Sequence, residues 1–139
     1  MSFSILGTGM YVPENIVTND DLSKLVETSD EWIASRTGIR QRYFCGEGET
    51  ATTLAIDAAQ KALAASGLNP SEIGCVLVAT SSGEYVMPST ACLVHAALGL
   101  PQDTPAMDVG AACAGFLFAM ETARGLLLAN QKRYALVIG

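Results

Sequence analysis

Hydrophobic and polar positions along the chain follow helical and strand periodicities in turn. Apolar residues recur at helical spacing after Thr50, and continuous apolar runs further along are typical of buried parallel strands. The predicted strands are 73–80, 106–109 and 134–138, and the predicted helices are 50–67, 88–98 and 114–129. Alternation of this kind predicts an α/β fold with a mostly parallel sheet covered on both faces.

The first 40 residues predict smaller elements. Alternating residues at 2–8, followed by glycine, predict a first strand that runs into a turn. Thr18 with Asp21 forms a capping-box pattern before a short helix that reaches Val26. Ser29 is placed to cap a second helix, which we expect to end near Gly38.

Composition and charge narrow the possible partners. Half of the residues are hydrophobic, 16% are charged, and the formal net charge is -6 with a pI of about 4.6. An acidic chain is a poor match for nucleic acid or for anionic lipid. We also expect no signal peptide and no membrane span, since no apolar stretch approaches the roughly 18 residues that a span requires. The chain is therefore predicted to be cytoplasmic, with no nucleic-acid or membrane partner.

Four cysteines lie at positions 45, 75, 92 and 113 without zinc-binding spacing. No metal site and no bound cofactor are predicted. In a cytoplasmic protein we expect four free thiols, most of them buried. Cys45, Cys75 and Cys92 lack the surroundings of a reactive thiol and are interpreted as structural.

Cys113 has a different setting. It follows a predicted strand and the small residues Gly110, Ala111 and Ala112, and it precedes a long helix. The N–H groups and dipole of a helix N-terminus favour a thiolate, and such N–H groups also stabilise an oxyanion. A free cysteine among alanines can equally be an inert small hydrophobic residue. The pattern alone leaves both interpretations open.

His95 is the only histidine in the chain. A catalytic cysteine needs a base or cationic partner, but nothing in the spacing directs His95 towards Cys113. A lone histidine on a mostly apolar helix is usually structural, and we keep that interpretation.

Several segments together resemble a known family. They are Gly7-Thr8-Gly9, the stretch from Thr28 to Arg40 (TSDEWIASRTGIR), Pro88-Ser89-Thr90-Ala91-Cys92, and the segment around Cys113 (MDVGAACAGF). Their combination and order closely resemble β-ketoacyl-acyl carrier protein synthase III. The thiolase-like superfamily in general shares the cysteine but not the threonine-to-arginine stretch.

The resemblance implies a thiolase-like αβαβα layered sandwich built from two similar halves. Residues 1–139 would supply most of the first half, and we expect the chain to be truncated before the last elements of that half. The carboxy-terminal half of the same protein would be one partner, and a homodimer would be the assembly.

The resemblance also implies a condensing acyltransferase. Cys113 would take an acyl group from acyl-CoA, a substrate and not a cofactor, and then condense it with malonyl-acyl carrier protein at the start of fatty acid synthesis. The counterpart of Cys113 works with a histidine and an asparagine from the second half, so we expect this chain alone to be inactive. The alternatives are a diverged condensing enzyme of secondary metabolism and a non-catalytic remnant that dimerises or binds acyl groups.

Four further residues receive roles from the resemblance. Trp32 and Arg36, with Thr28 beside them, resemble residues that hold coenzyme A. From residue type alone, Trp32 could instead pack its helix and Arg36 could cap the end of that helix. Met87 stands where acetyl-selective members have phenylalanine, at a position that lines the partner subunit's acyl pocket. Since methionine fills irregular space, we expect a chain-length preference different from acetyl.

Overall fold

A three-stranded parallel sheet forms the centre of the larger of two units in the computed structural model, which describes residues 3–139. This unit contains residues 3–11 and 50–139, and the smaller unit is Val12–Glu49. The prediction of one half-domain over 1–139 stays a prediction.

The larger unit follows the predicted βαβ order closely. Its strands are β3 (Ile73–Val78), β4 (Ala106–Asp108) and β5 (Tyr134–Ile138), in the order β4-β3-β5 with both pairings parallel. Its helices are α3 (Ala51–Ser66), α4 (Thr90–Ala97) and α5 (Gly115–Asn130), with short 3-10 turns at Pro70–Glu72 and Ala112–Ala114. Every residue of the central strand β3 is buried, as its continuous apolar run predicts.

Helices cover both faces of this sheet. On one face, α3 and α4 pack Ala59 and Val94 against Val76. On the other face, α5 packs Ala119 and Ala123 against the side chains of β3. The two layers confirm the predicted α/β fold.

The smaller unit contains elements that were only partly predicted. Helices α1 (Asn19–Ser23) and α2 (Asp30–Thr37) have the expected caps, since Thr18 forms the capping box and Gly38 ends α2 with φ 73°. The antiparallel pair of β1 (Asn15–Thr18) and β2 (Gln41–Phe44) was not predicted. The pairing depends on residues far apart in sequence, which local periodicity does not register.

The prediction of a strand at 2–8 is wrong for the described residues 3–8, which form no strand; Ser2 lies outside the described residues. The segment instead runs along α3, where glycine permits a close approach. A Cβ at Gly9 would lie 2.1 Å from the Ala58 carbonyl oxygen, and one at Gly7 would lie 2.5 Å from the Ser66 nitrogen. Lys61 Nζ also donates a 3.0 Å hydrogen bond to the Met10 carbonyl.

One helical run, Ala112–Asn130, is long and apolar enough to cross a bilayer by length and composition alone. The expectation that no stretch reaches such a length is therefore wrong. The run carries the Arg124–Glu121 ion pair on its outer side, and its small residues Gly115, Ala119 and Ala123 are buried. The contacts of that buried face are those of a helix packed on a sheet.

Candidate active site

Cys113 lies where two neighbouring strands end. The carboxyl ends of the parallel strands β3 and β4 meet at one edge of the sheet. The chain leaves β3 into the segment that carries Met87, and it leaves β4 into the turn that carries Cys113. In open α/β sheets, ligands bind outside this edge.

The turn around Cys113 differs in detail from the predicted helix N-terminus. Cys113 lies within the 3-10 turn Ala112–Ala114, two residues before α5 begins. Ala112 has φ 43°, a left-handed conformation that costs a residue other than glycine about 1–2 kcal/mol. This sharp turn leaves the Cys113 side chain exposed.

The start of α5 has no side-chain cap. Its N-cap is Ala114, which offers no acceptor to the backbone N–H groups of the first turn. Those N–H groups are the donors that a helix N-terminus can present to developing negative charge. The exposed thiol therefore lies close to a helix start that no side chain caps, although the N–H of Gly115 itself bonds to the Ala112 carbonyl.

His95 takes no part in this arrangement. Its Nε2 lies 2.9 Å from the carbonyl oxygen of Pro101, and because a carbonyl only accepts, Nε2–H is the donor. This hydrogen bond supports the structural interpretation of His95.

The other thiols divide into two kinds. Cys75 is fully buried in β3, and burial raises the pKa of its thiol to about 11. Cys45 and Cys92 are exposed, as Cys113 is, so the expectation of mostly buried thiols is wrong. Exposure alone therefore does not single out Cys113; its place after β4 and the left-handed Ala112 do.

Trp32 and Arg36 form a pair on α2. The Arg36 guanidinium lies 4.5 Å from the centre of the Trp32 ring, and its Nη1 lies 3.4 Å from the Trp32 carbonyl oxygen. Trp32 is 53% exposed, so it does not serve mainly to pack its helix. With Ser29, Glu31 and Ser35, the pair lines a shallow surface depression. Thr28 is half-buried immediately before the N-cap of α2.

Sequence reasoning missed the polar contacts that position these elements. The buried Asn19 side chain donates 2.8 Å hydrogen bonds to Asp30 Oδ1 and to the Ile39 carbonyl, and it accepts one of 2.6 Å from Arg42. In the larger unit, Asp108 accepts hydrogen bonds from Thr90 N–H at 3.0 Å and Ala91 N–H at 2.8 Å. A carboxylate near the carboxyl end of the predicted strand 106–109 was the available signal for Asp108.

A metal centre has no candidate among residues 3–139, where no group of three or more His, Cys, Asp or Glu side chains could hold an ion.

Comparison with known proteins shows which proteins this chain resembles. A family model described as 3-oxoacyl-[acyl-carrier-protein] synthase III matches residues 107–139, which include Cys113. The β-ketoacyl-[acyl-carrier-protein] synthase III of Escherichia coli K12 is 45% identical over all 139 residues, which span 44% of that protein. The chain thus covers less than half the length of the curated relatives that it matches.

Solved structures agree with the sequence match. The 3-oxoacyl-[acyl-carrier-protein] synthase III of Aquifex aeolicus superposes with a TM-score of 0.90 at 42% identity, over 98% of this chain and 44% of that one. The priming β-ketosynthase of the R1128 polyketide pathway superposes with a TM-score of 0.88 at 32% identity, over 96% of this chain and 40% of that one. The fold is therefore thiolase-like, and along its whole length the chain is similar to the amino-terminal portion of β-ketoacyl-acyl carrier protein synthase III proteins.

Proposed function

We propose that the protein containing this chain is a condensing acyltransferase in which Cys113 accepts an acyl group from acyl-CoA. The observation that supports this most strongly is the exposed Cys113 thiol in a sharp turn at the carboxyl end of β4, beside the uncapped start of α5. The names of its relatives agree with this chemistry.

In the acylation step, the Cys113 thiolate sulfur attacks the thioester carbonyl carbon of acyl-CoA. The carbonyl oxygen becomes an oxyanion, which the N–H groups at the start of α5 stabilise. Collapse of this intermediate breaks the bond to the coenzyme A sulfur, and coenzyme A leaves as a thiolate that takes up a proton. Cys113 then carries the acyl group as a thioester.

In the second step, malonyl-acyl carrier protein loses carbon dioxide, and its carbanion attacks the carbonyl carbon of the Cys113 thioester. The bond between that carbon and the Cys113 sulfur breaks, so Cys113 leaves as a thiolate and the β-ketoacyl group stays on the acyl carrier protein. This step needs groups that stabilise the enolate formed by decarboxylation. His95, the only histidine of the chain, is hydrogen-bonded to the Pro101 carbonyl oxygen and is not assigned this role. We propose that the histidine and asparagine partners come from the carboxy-terminal half, so residues 1–139 alone do not complete the condensation.

Coenzyme A recognition is assigned to α2. An indole that is 53% exposed offers a stacking face for adenine, and the Arg36 guanidinium carries the positive charge that a phosphate needs. Arg36 is preordered, since it stacks on Trp32 and bonds to the backbone of the same helix. Thr28 would contact the ligand from the start of that helix.

The acyl pocket is assigned to Met87, which is 84% exposed in this chain. We propose that a homodimer inserts Met87 into the acyl pocket of its partner, in the cytoplasm. A flexible side chain at this position favours acyl groups other than acetyl.

A second candidate function is the priming of a secondary-metabolite pathway. The similarity to the R1128 priming β-ketosynthase favours it. A series of acyl-CoA esters tests the role assigned to Met87, which a strong acetyl preference would contradict.

The proposed function is tested by a condensation assay on the complete protein with acyl-CoA and malonyl-acyl carrier protein. We expect Cys113→Ala to lower the rate by about 10³-fold or more, since it removes the nucleophile. Cys92→Ala is the matched control, because Cys92 is also exposed, and should retain activity. Equal activity of Cys113→Ala and the parent protein would contradict the proposal.

A further inference from the structure

The segment 81–89, between β3 and α4, exposes an apolar tip. Val86 is 96% exposed, Met87 is 84% exposed and Tyr85 is 59% exposed. The segment contains no helix or strand. An exposed segment without regular structure keeps one conformation only where specific contacts hold it.

One such contact joins the segment to α3. Glu84 Oε2 accepts a 3.3 Å hydrogen bond from the Thr52 backbone N–H, 32 residues away in sequence. Thr52 lies in the first turn of α3, where N–H groups have no partner within the helix. The neighbouring Thr52 and Thr50 side chains hold the pKa of the Glu84 carboxyl below its usual value.

A second contact fixes the other end of the segment. The Asp108 carboxylate accepts hydrogen bonds from Thr90 and Ala91, the first two residues of α4. Asp108 is the last residue of β4, five positions before Cys113. The end of the segment nearest Met87 is therefore tied to the strand that leads into the Cys113 turn.

The two contacts act in the same way. Each places a carboxylate on the N-terminal N–H groups of a helix, where the helix dipole favours negative charge. Glu84 supplies its carboxylate from within the segment, whereas Asp108 supplies its carboxylate from the sheet. Only Glu84 can be changed without altering the strand that leads to Cys113.

We propose that Glu84 is a positioning residue that holds the 81–89 segment against α3 and thereby sets the acyl chain length accepted by the enzyme. This inference rests on the proposed function, because it takes Met87 as part of an acyl pocket. Release of Glu84 lets the tip move, and a mobile Met87 no longer excludes acyl chains of the wrong length.

The test compares Glu84→Ala with Glu72→Ala in the complete protein. Glu72 is a matched control, because its carboxylate accepts a 2.9 Å hydrogen bond from Asn69 N–H at a 3-10 turn outside the segment. One methylene group in an apolar pocket changes the discrimination between two substrates by about tenfold or more. Glu84→Ala should therefore lower the ratio of the fastest to the slowest rate of Cys113 acylation, measured across acyl-CoA esters from C2 to C8, by about tenfold. Glu72→Ala should leave that ratio unchanged.

Hydrogen exchange provides a readout that does not depend on activity. The backbone amides of residues 81–89 should exchange faster in Glu84→Ala than in the parent protein. Their exchange rates should be unchanged in Glu72→Ala. Glu84→Gln keeps an acceptor oxygen for Thr52 N–H and should restore most of the acylation ratio and of the protection from exchange. If Glu84→Ala does not fold, Glu84→Gln alone is compared with the parent protein, and a small decrease in the ratio, with faster exchange confined to 81–89, is expected.

Two results would overturn the inference. Unchanged exchange in 81–89 would show that Glu84 does not hold the segment, and faster exchange with an unchanged ratio would show that the segment does not set chain length. A parent protein that no acyl-CoA acylates would refute the proposed function and the claim on chain length with it. Exchange would then still decide whether Glu84 holds the segment.

Discussion

Ala112 adopts a left-handed conformation immediately before the proposed nucleophile, with φ 43°. Gly110, two residues earlier, has no positive φ and a vacant Cβ position whose nearest contact is 3.9 Å away. Glycine thus stands where alanine would fit, and alanine stands where glycine would be less strained. Strain of this kind persists where the surrounding structure imposes it, often at functional sites.

Substitutions at these two positions should therefore both stabilise the protein. Gly110→Ala should raise the free energy of unfolding by about 0.4–1 kcal/mol, because it restricts the unfolded chain. Ala112→Gly should relieve about 1 kcal/mol of left-handed strain, offset in part by the greater freedom of glycine when unfolded. Urea unfolding measures both changes.

The rate of Cys113 acylation should distinguish the two variants. Gly110→Ala should keep the parent rate, whereas Ala112→Gly should slow acylation, because the turn no longer holds the thiol in one place. A loss of stability in Gly110→Ala would show that the backbone at 110 needs glycine.

At the scale of elements, α2 depends on a buried polar network. Asn19 is 1% exposed and connects Asp30, in the first turn of α2, to Arg42 of β2. Asp30 also pairs with Arg40 at 3.2 Å. The helix that carries Trp32 and Arg36 is thus held by hydrogen bonds and not by apolar burial, since none of its residues is buried.

Removal of the Asn19 side chain should be costly. Asn19→Ala leaves the Arg42 and Asp30 groups without this partner, and we expect a loss of about 1–3 kcal/mol in the free energy of unfolding. Asn15→Ala is the control, because Asn15 is exposed in β1 and should change stability by less than about 0.5 kcal/mol. Similar values for the two variants, measured by urea unfolding, would contradict the network's role.

Trp32→Ala tests the proposed coenzyme A contact. A base stacked on an aromatic side chain contributes about 1–3 kcal/mol to the free energy of binding. Loss of this contact should raise the KM for acyl-CoA by about tenfold or more, while kcat changes less. Leu25→Ala is the control, because Leu25 is an exposed apolar residue of the same unit, 74% exposed. A lower kcat with an unchanged KM would place Trp32 in another role.

Elements with local signals were predictable from sequence, and elements with distant partners were not. The caps at Thr18, Ser29 and Thr50 and the glycines that end helices act within three or four residues. The pairing of β1 with β2 and the contact between Glu84 and Thr52 join residues at least 23 positions apart. The place of Cys113 between a strand and a helix could be predicted, because strand, small residues and helix follow one another directly. The left-handed conformation of Ala112 could not, because nothing in an alanine-rich run indicates a positive φ.

At the scale of the molecule, exposed apolar surface is the dominant feature of the larger unit. Phe116, Leu117 and Phe118 near the start of α5 are 45%, 68% and 57% exposed. Apolar patches of this kind mark surfaces that other protein covers. We propose that the carboxy-terminal half and the dimer partner cover these surfaces.

A polypeptide of residues 1–139 should therefore self-associate. Sedimentation velocity should detect species larger than 14.5 kDa. A variant with Leu117→Lys and Phe118→Lys should associate less, because charge on the α5 surface opposes burial. A cooperatively folded monomer would contradict the prediction.

The identity of the acylated residue tests the central claim most directly. The complete protein is mixed with acyl-CoA without malonyl-acyl carrier protein, digested, and mapped by mass spectrometry. We predict one acyl group on the peptide that contains Cys113, absent from Cys113→Ala and present in Cys45→Ala and Cys92→Ala. Acylation on Cys45 or Cys92, or acylation that survives Cys113→Ala, would contradict the assignment of Cys113 as the nucleophile.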